Sequence, residues 1–167
     1  QDETDCGAAC ISTISKYYGK KISVTKIRNI AGTDQKGTSG KGIIKAATEL
    51  GFSCKGFIAK EKQLKSDLPF PIIAHINRDG LDHYIVIYKV KKNKVLIADP
   101  ANSISWVNIQ TFFEWWTNFF FVLKPKNDFE KTEKLMNAET QPKKKFAYNN
   151  KLRQIYQQIR EKKDGVA

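Results

Sequence analysis

Apolar residues along this chain follow a helical spacing up to about residue 51 and a strand spacing after it. Ala8, Ile11, Ile14 and Tyr18 fall near one face and Gly19 follows, which predicts a helix over 5–18. The stretch from Ser23 to Ile30 predicts a second helix, capped by Ser23 and ended by Gly32. A third runs from about Lys41 to Leu50 and stops at Gly51. Strand-like runs then occupy Phe52 to Phe57, Phe70 to Ile76, Asp82 to Val90 and Val95 to Asp99, with a polar turn at Lys91-Lys92-Asn93. Asp99-Pro100 closes the fourth run, since proline cannot continue a central ladder. Ile109 to Trp116 reads as a short aromatic helix and Phe119 to Leu123 as a last strand. Helices first and antiparallel-looking strands after them predict an α+β domain, with the N-terminal helices packed on an antiparallel sheet.

The pattern thins out after Lys124. Residues 1–125 form the predicted domain, and 126–147 are polar and charged, like a linker. In 148–167, Leu152, Ile155, Tyr156 and Ile159 share a helical face among Lys151, Arg153, Arg160, Lys162 and Lys163. Such a basic amphipathic segment suits packing on a protein surface, or, over 148–163, an anionic membrane. The aromatic-rich run Phe119-Phe120-Phe121-Val122-Leu123 is strand-sized, far short of the ~18 apolar residues that span a bilayer.

Composition adds a sign to this picture. Lysine and arginine total 29 against 17 acidic residues, a formal net charge of +12. That favours an acidic partner, whether anionic lipid, acidic peptide or nucleic acid, over a plain solvated lysine surface only about evenly. No zinc-finger spacing or ribonucleoprotein aromatic motif is present, so no specific nucleic-acid partner is expected. Three cysteines without a signal-peptide pattern predict free thiols in a reducing compartment. Gly37-Thr38-Ser39-Gly40-Lys41-Gly42 lacks the Ser or Thr that a phosphate loop places after its lysine, so no nucleotide is expected there.

The candidate chemistry begins at Cys6. It sits on the first turn of the first helix, behind Asp5 as a capping residue, where unpaired N–H groups favour thiolate. Gly7 beside it would let a substrate backbone approach. Cys10, one turn on, and Cys54 read as buried structural thiols. A cysteine nucleophile wants an imidazole to take its proton and a third group to orient the ring. Of the two histidines, His83 starts a strand beside a glycine turn and reaches a cleft more easily than His75, which lies inside a short run. Asp99 ends the following strand, so a hairpin would set it beside His83; the rival reading of Asp99-Pro100 is a turn initiator. Asp82 competes for the orienting role, but its side chain should point to the opposite face from His83. Oxyanion donors would be the Cys6 backbone N–H and, upstream, the amide of Gln1.

Asp2-x-x-Asp5-Cys6-Gly7-Ala8-Ala9-Cys10, Tyr17-Tyr18-Gly19, Asp82-His83-Tyr84-Ile85-Val86 and Ala98-Asp99-Pro100-Ala101, in this order over about 1–125, closely resemble the C39 peptidase family. These are the N-terminal protease domains of ABC transporters that export bacteriocins and quorum-sensing peptides. The resemblance implies a papain-like α+β fold and a cysteine protease that cuts leader peptides after a double-glycine-type motif. It implies Cys6 as nucleophile, His83 as general base and Asp99 as the residue orienting it. In the family a glutamine six positions before the cysteine helps form the oxyanion hole; Gln1 lies five before Cys6. It also implies an amphipathic leader helix as partner, transmembrane and nucleotide-binding domains beyond the tail, and a place at the cytoplasmic face of the bacterial membrane. No cofactor or metal is implied in this chain, with ATP expected only in the nucleotide-binding domain of a full transporter. The alternatives are a leader-docking domain without catalysis, acyl transfer to an amine, and charge-driven nucleic-acid binding.

Overall fold

Two strands buried on both faces anchor the structure, a computed structural model that describes residues 3–65 and 67–126. They are β2 (Ile72–Arg78) and β3 (Leu81–Lys91). Ile73 and Val86 point to one side, and Ile72, Ala74, Ile76, Ile85 and Ile87 to the other, all fully buried. This double burial is why both strands read as continuous apolar runs.

The remaining strands are β1 (Phe52–Ile58), β4 (Lys94–Ala98), β5 (Ile104–Asn108) and β6 (Trp116–Pro125). The sheet order is β1-β6-β2-β3-β4-β5, antiparallel throughout. One face carries α1 (Cys6–Tyr17), α2 (Val24–Ala31) and α3 (Gly40–Glu49). Their Ala8, Cys10, Ile11, Ile14, Ile27 and Ile43 pack with Phe52, Ile73, Val86, Phe121 and Leu123. The other face packs on Phe112 of the short α4 (Ile109–Trp115), on Trp116 and on Leu64. The α+β arrangement expected from the sequence is therefore present, with three N-terminal helices on an antiparallel sheet.

Two helix ends form as their residues dictate. Ser23 accepts the Lys26 N–H at 3.2 Å, and Gly32 ends α2 in the left-handed region at φ 66°. Asp5 departs from its expected role. Its backbone is helical, its carboxylate makes no cap hydrogen bond, and a single 3-10 turn over Glu3–Asp5 leads into α1. The carboxylate instead pairs with Arg28 Nε of α2 at 2.9 Å, because a helical Asp5 cannot fold its side chain back onto the following N–H groups.

Strand β5 was not legible in the sequence. Ile104 and Trp106 are exposed and Val107 is only partly buried, so this edge strand has no clean alternation. The predicted linker beyond Lys126 and the basic segment 148–167 lie outside the described residues. Among the described residues no helix is long and apolar enough to cross a membrane.

Candidate active site

The strand order brings one end of β2, β3 and β4 together. Neighbouring antiparallel strands place the C-terminal end of β2, the N-terminal end of β3 and the C-terminal end of β4 at the same rim. The β3–β4 ladder stops at Val86↔Ala98, where Asp99 and Pro100 turn away. Two residues beyond that stop, the backbone N–H of Tyr84 in β3 favours the Cys6 thiolate.

Asp99 is where the chain turns and where the imidazole is held. Asn102 N–H donates to the Asp99 carbonyl at 3.0 Å, and Ala101 N–H donates to Asp99 Oδ1 at 3.0 Å. The same Oδ1 lies 2.7 Å from His83 Nε2. Asp99 thus forms a turn and also sets its carboxylate against the His83 ring. With Nε2 facing the carboxylate, Nδ1 is the ring nitrogen left for Cys6, and the interaction of ring and sulfur shifts both groups. The Asp99 side chain is 3% exposed and that of His83 18%, so little water competes.

The electrostatics follow from these contacts. Burial alone would push the Cys6 thiol up. The His83 hydrogen bond, the Tyr84 N–H, the His83 charge and the Gly7 N–H outweigh it and hold Cys6 below the ordinary thiol value. His83 is raised, by its hydrogen bond to Cys6 against the cost of burial, with Asp99 adding to the rise. Burial also opposes ionisation of Asp99, yet hydrogen bonds from His83, Arg78 and Ala101 bring it down to about 2. Opposite shifts on a touching thiol and imidazole favour a thiolate–imidazolium pair.

Other sequence candidates fall elsewhere. His75 Nδ1 lies 2.8 Å from Thr117 Oγ1, and its Nε2 lies 3.6 Å from Asp82. Asp82 accepts from Asn77 Nδ2 at 2.9 Å and takes no part around His83, as its strand parity predicted. Cys10 is fully buried as expected, whereas Cys54 is only partly buried, which still pushes it up to about 11. Gln1 lies outside the described residues. Gly7 has a packing reason of its own: a Cβ there would come within 2.9 Å of Thr38 Cβ. Thr38 is buried, and its Oγ1 is 2.7 Å from Thr33 Oγ1, so the glycine-rich loop braces the start of α1. Sequence reasoning missed Arg78, whose Nη2 lies 2.6 Å from Asp99 Oδ2. The signal was available in Asp79-Gly80, a turn that folds β3 back on β2 and puts Arg78 at the rim shared by His83 and Asp99.

Comparison with known proteins gives the family. The model of the peptidase C39 family matches residues 1–128. The lactococcin-G-processing and transport ATP-binding protein of Lactococcus lactis subsp. lactis is 42% identical over 132 residues, covering 78% of this chain and 19% of that protein. The transport/processing ATP-binding protein ComA of Streptococcus pneumoniae is 31% identical over 141 residues, covering 82% of this chain and 20% of that protein. The chain thus spans about a fifth of the length of these curated relatives. Among solved structures, the peptidase domain of Streptococcus ComA superposes with a TM-score of 0.70 at 30% identity, over 75% of this chain and 95% of that one. A double glycine motif protease from an AMS/PCAT transporter, in complex with its leader peptide, gives 0.69 at 27% identity, over 75% of this chain and 88% of that one. With a family match across most of its length and the thiol, imidazole and carboxylate gathered at one rim of the sheet, this chain belongs to the peptidase C39 family.

Proposed function

We propose that this domain is a cysteine endopeptidase that removes the leader of a secreted peptide after a double-glycine-type motif, within a peptide exporter. The observation that carries the reading is the contact chain Cys6–His83–Asp99, with 2.7 Å between His83 Nε2 and Asp99 Oδ1. Cys6 is the nucleophile, His83 the general base and then acid, and Asp99 the group that fixes the ring.

The Cys6 thiolate attacks the carbonyl carbon of the last leader residue. The oxyanion is held by the Cys6 backbone N–H and the Gln1 amide. His83 gives its Nδ1 proton to the departing amine as the C–N bond breaks, leaving a thioester on Cys6. Water then attacks that carbonyl, His83 takes its proton, and the leader leaves as a carboxylate while the sulfur is restored. Small residues before the cut suit a cleft without room for a long side chain.

The relatives' names, processing and transport ATP-binding proteins, and the description of Streptococcus ComA as a bi-functional ABC transporter support placing the reaction in an ABC exporter, where the domain would work at the cytoplasmic face of the bacterial membrane. Its transmembrane and nucleotide-binding domains would be partners, ATP would bind in the latter, and 148–163 would rest on anionic lipid. The +12 charge favours an acidic leader.

The test is incubation with synthetic leader peptides ending in Gly-Gly, Gly-Ala or Gly-Ser and extended by a short cargo, read by mass spectrometry. Cutting directly after the second small residue is expected, with none in Cys6→Ala despite retained leader binding. Cleavage by Cys6→Ala at the wild-type rate, or no cleavage by the wild type, would overturn the reading.

A further inference from the structure

We propose that Arg78 is a positioning residue of this site, holding one oxygen of Asp99 so that the other faces His83, with Trp115 as the platform that holds the guanidinium. The inference deepens the peptidase reading and rests on it.

The Asp99 carboxylate has a donor set for each oxygen. Oδ1 takes His83 Nε2 at 2.7 Å and the Ala101 N–H at 3.0 Å. Oδ2 takes Arg78 Nη2 at 2.6 Å and Asn102 Nδ2 at 3.3 Å. A carboxylate can rotate about its Cβ–Cγ bond, and a short charged contact on the far oxygen resists that rotation. Arg78 is itself fixed: its Cζ lies 4.7 Å from the centre of the Trp115 ring. Arg78 ends β2 and Trp115 ends α4, so a helix on the face opposite α1 reaches the site through this stack.

Charge is the second half of the argument. Among the described residues, Arg78 from β2 and His83 from β3 face Asp99, with Cys6 from α1 beyond the ring; Cys10 of α1 also feels Asp99 and Cys6, Tyr84 of β3 feels Cys6, His75 of β2 feels His83, and the turn contributes neutral donors from Ala101 and Asn102. The guanidinium offsets the carboxylate charge felt by the thiolate–imidazolium pair. Without it, an uncompensated Asp99 disfavours thiolate and favours imidazolium, so both protons leave at higher pH.

The test reads Cys6 alkylation by iodoacetamide against pH in the full chain, with the labelled peptide identified by mass spectrometry. The rate has two inflections, where the ion pair forms and where its imidazolium proton is lost. Arg78→Gln should move both up by roughly one unit. Arg78→Lys, which keeps the charge, should bring them back. Inflections that stay in place in Arg78→Gln, or fail to return in Arg78→Lys, overturn the proposal, whatever happens to turnover. Should Arg78→Gln not fold, Trp115→Leu decides: inflections that move up support the proposal, and unmoved ones overturn it. Alkylation needs no peptide substrate, so its outcome is separate from the cleavage assay that tests the peptidase reading.

Discussion

His83 and His75 stand on adjoining antiparallel strands, each with an aspartate and a small hydroxyl or thiol side chain for neighbours. His83 Nε2 is 2.7 Å from Asp99, whose side chain is 3% exposed. His75 Nε2 is 3.6 Å from Asp82, whose side chain is 72% exposed. The two rings shift in opposite directions. His83 is raised, by its bond to Cys6 ahead of the cost of burial. His75 is lowered by burial, against the pull of Asp82. Similar residue types thus build two different devices. A thiol partner backed by a buried carboxylate raises one ring, whereas a solvated carboxylate leaves burial to decide the other.

The sharpest way to break this contrast is to neutralise each ring in turn. His83→Gln should lower kcat/KM on a Gly-Gly leader peptide by roughly a thousandfold, because proton transfer to and from sulfur and amine is lost. His75→Gln should stay within about threefold, since the glutamine amide can still donate to Thr117. Equal losses in the two variants would mean that the strand-end position of His83 carries no special chemistry.

The carboxylates offer the next test. Asp99→Asn keeps the shape but removes a charge that adds to the rise of His83, and kcat should fall roughly ten- to a hundredfold with KM little changed. Asp82→Asn removes an exposed charge that faces His75 and Asn77, and turnover should be unaltered. Steady-state kinetics on one peptide separates the two. Wild-type turnover in Asp99→Asn would remove Asp99 from the site.

Why one device was legible in the sequence and its surroundings were not comes down to range. Cys6 was marked by its place at a helix start, and His83 and Asp99 by a hairpin whose turn, Lys91-Lys92-Asn93, is local. Arg78 reaches Asp99 across the intervening β3, a relation set by strand order, which no short window of sequence states. The same limit applies to Gly7. Its neighbours Ala8 and Ala9 give no hint that Thr38, 31 positions later, fills the space a Cβ would need. Strand β5 failed for a different reason, being an edge with exposed Ile104 and Trp106 and no apolar face to betray its period. Asp5 shows that a residue favoured at helix caps can be diverted, here to Arg28 of a neighbouring helix.

The smallest expected effect is on stability, and here the two histidines differ in sign. His75 is disfavoured as a cation in the folded chain, so the unfolded chain binds its proton more readily. The stability this contributes is fully present above the ordinary histidine value near 6.5 and is lost as pH falls through the lowered folded value. His83, being raised, contributes stability that is fully present below about 6.5 and lost as pH rises through the raised value. His75→Gln, which has no proton to bind, should therefore lose less thermal midpoint than the wild type between about pH 7 and pH 5, with little difference above that range. Thermal unfolding of both proteins across these pH values gives the comparison directly. A variant that loses stability on acidification as steeply as the wild type would show that burial does not penalise the His75 cation, and the distinction between the two rings would then rest on His83 alone.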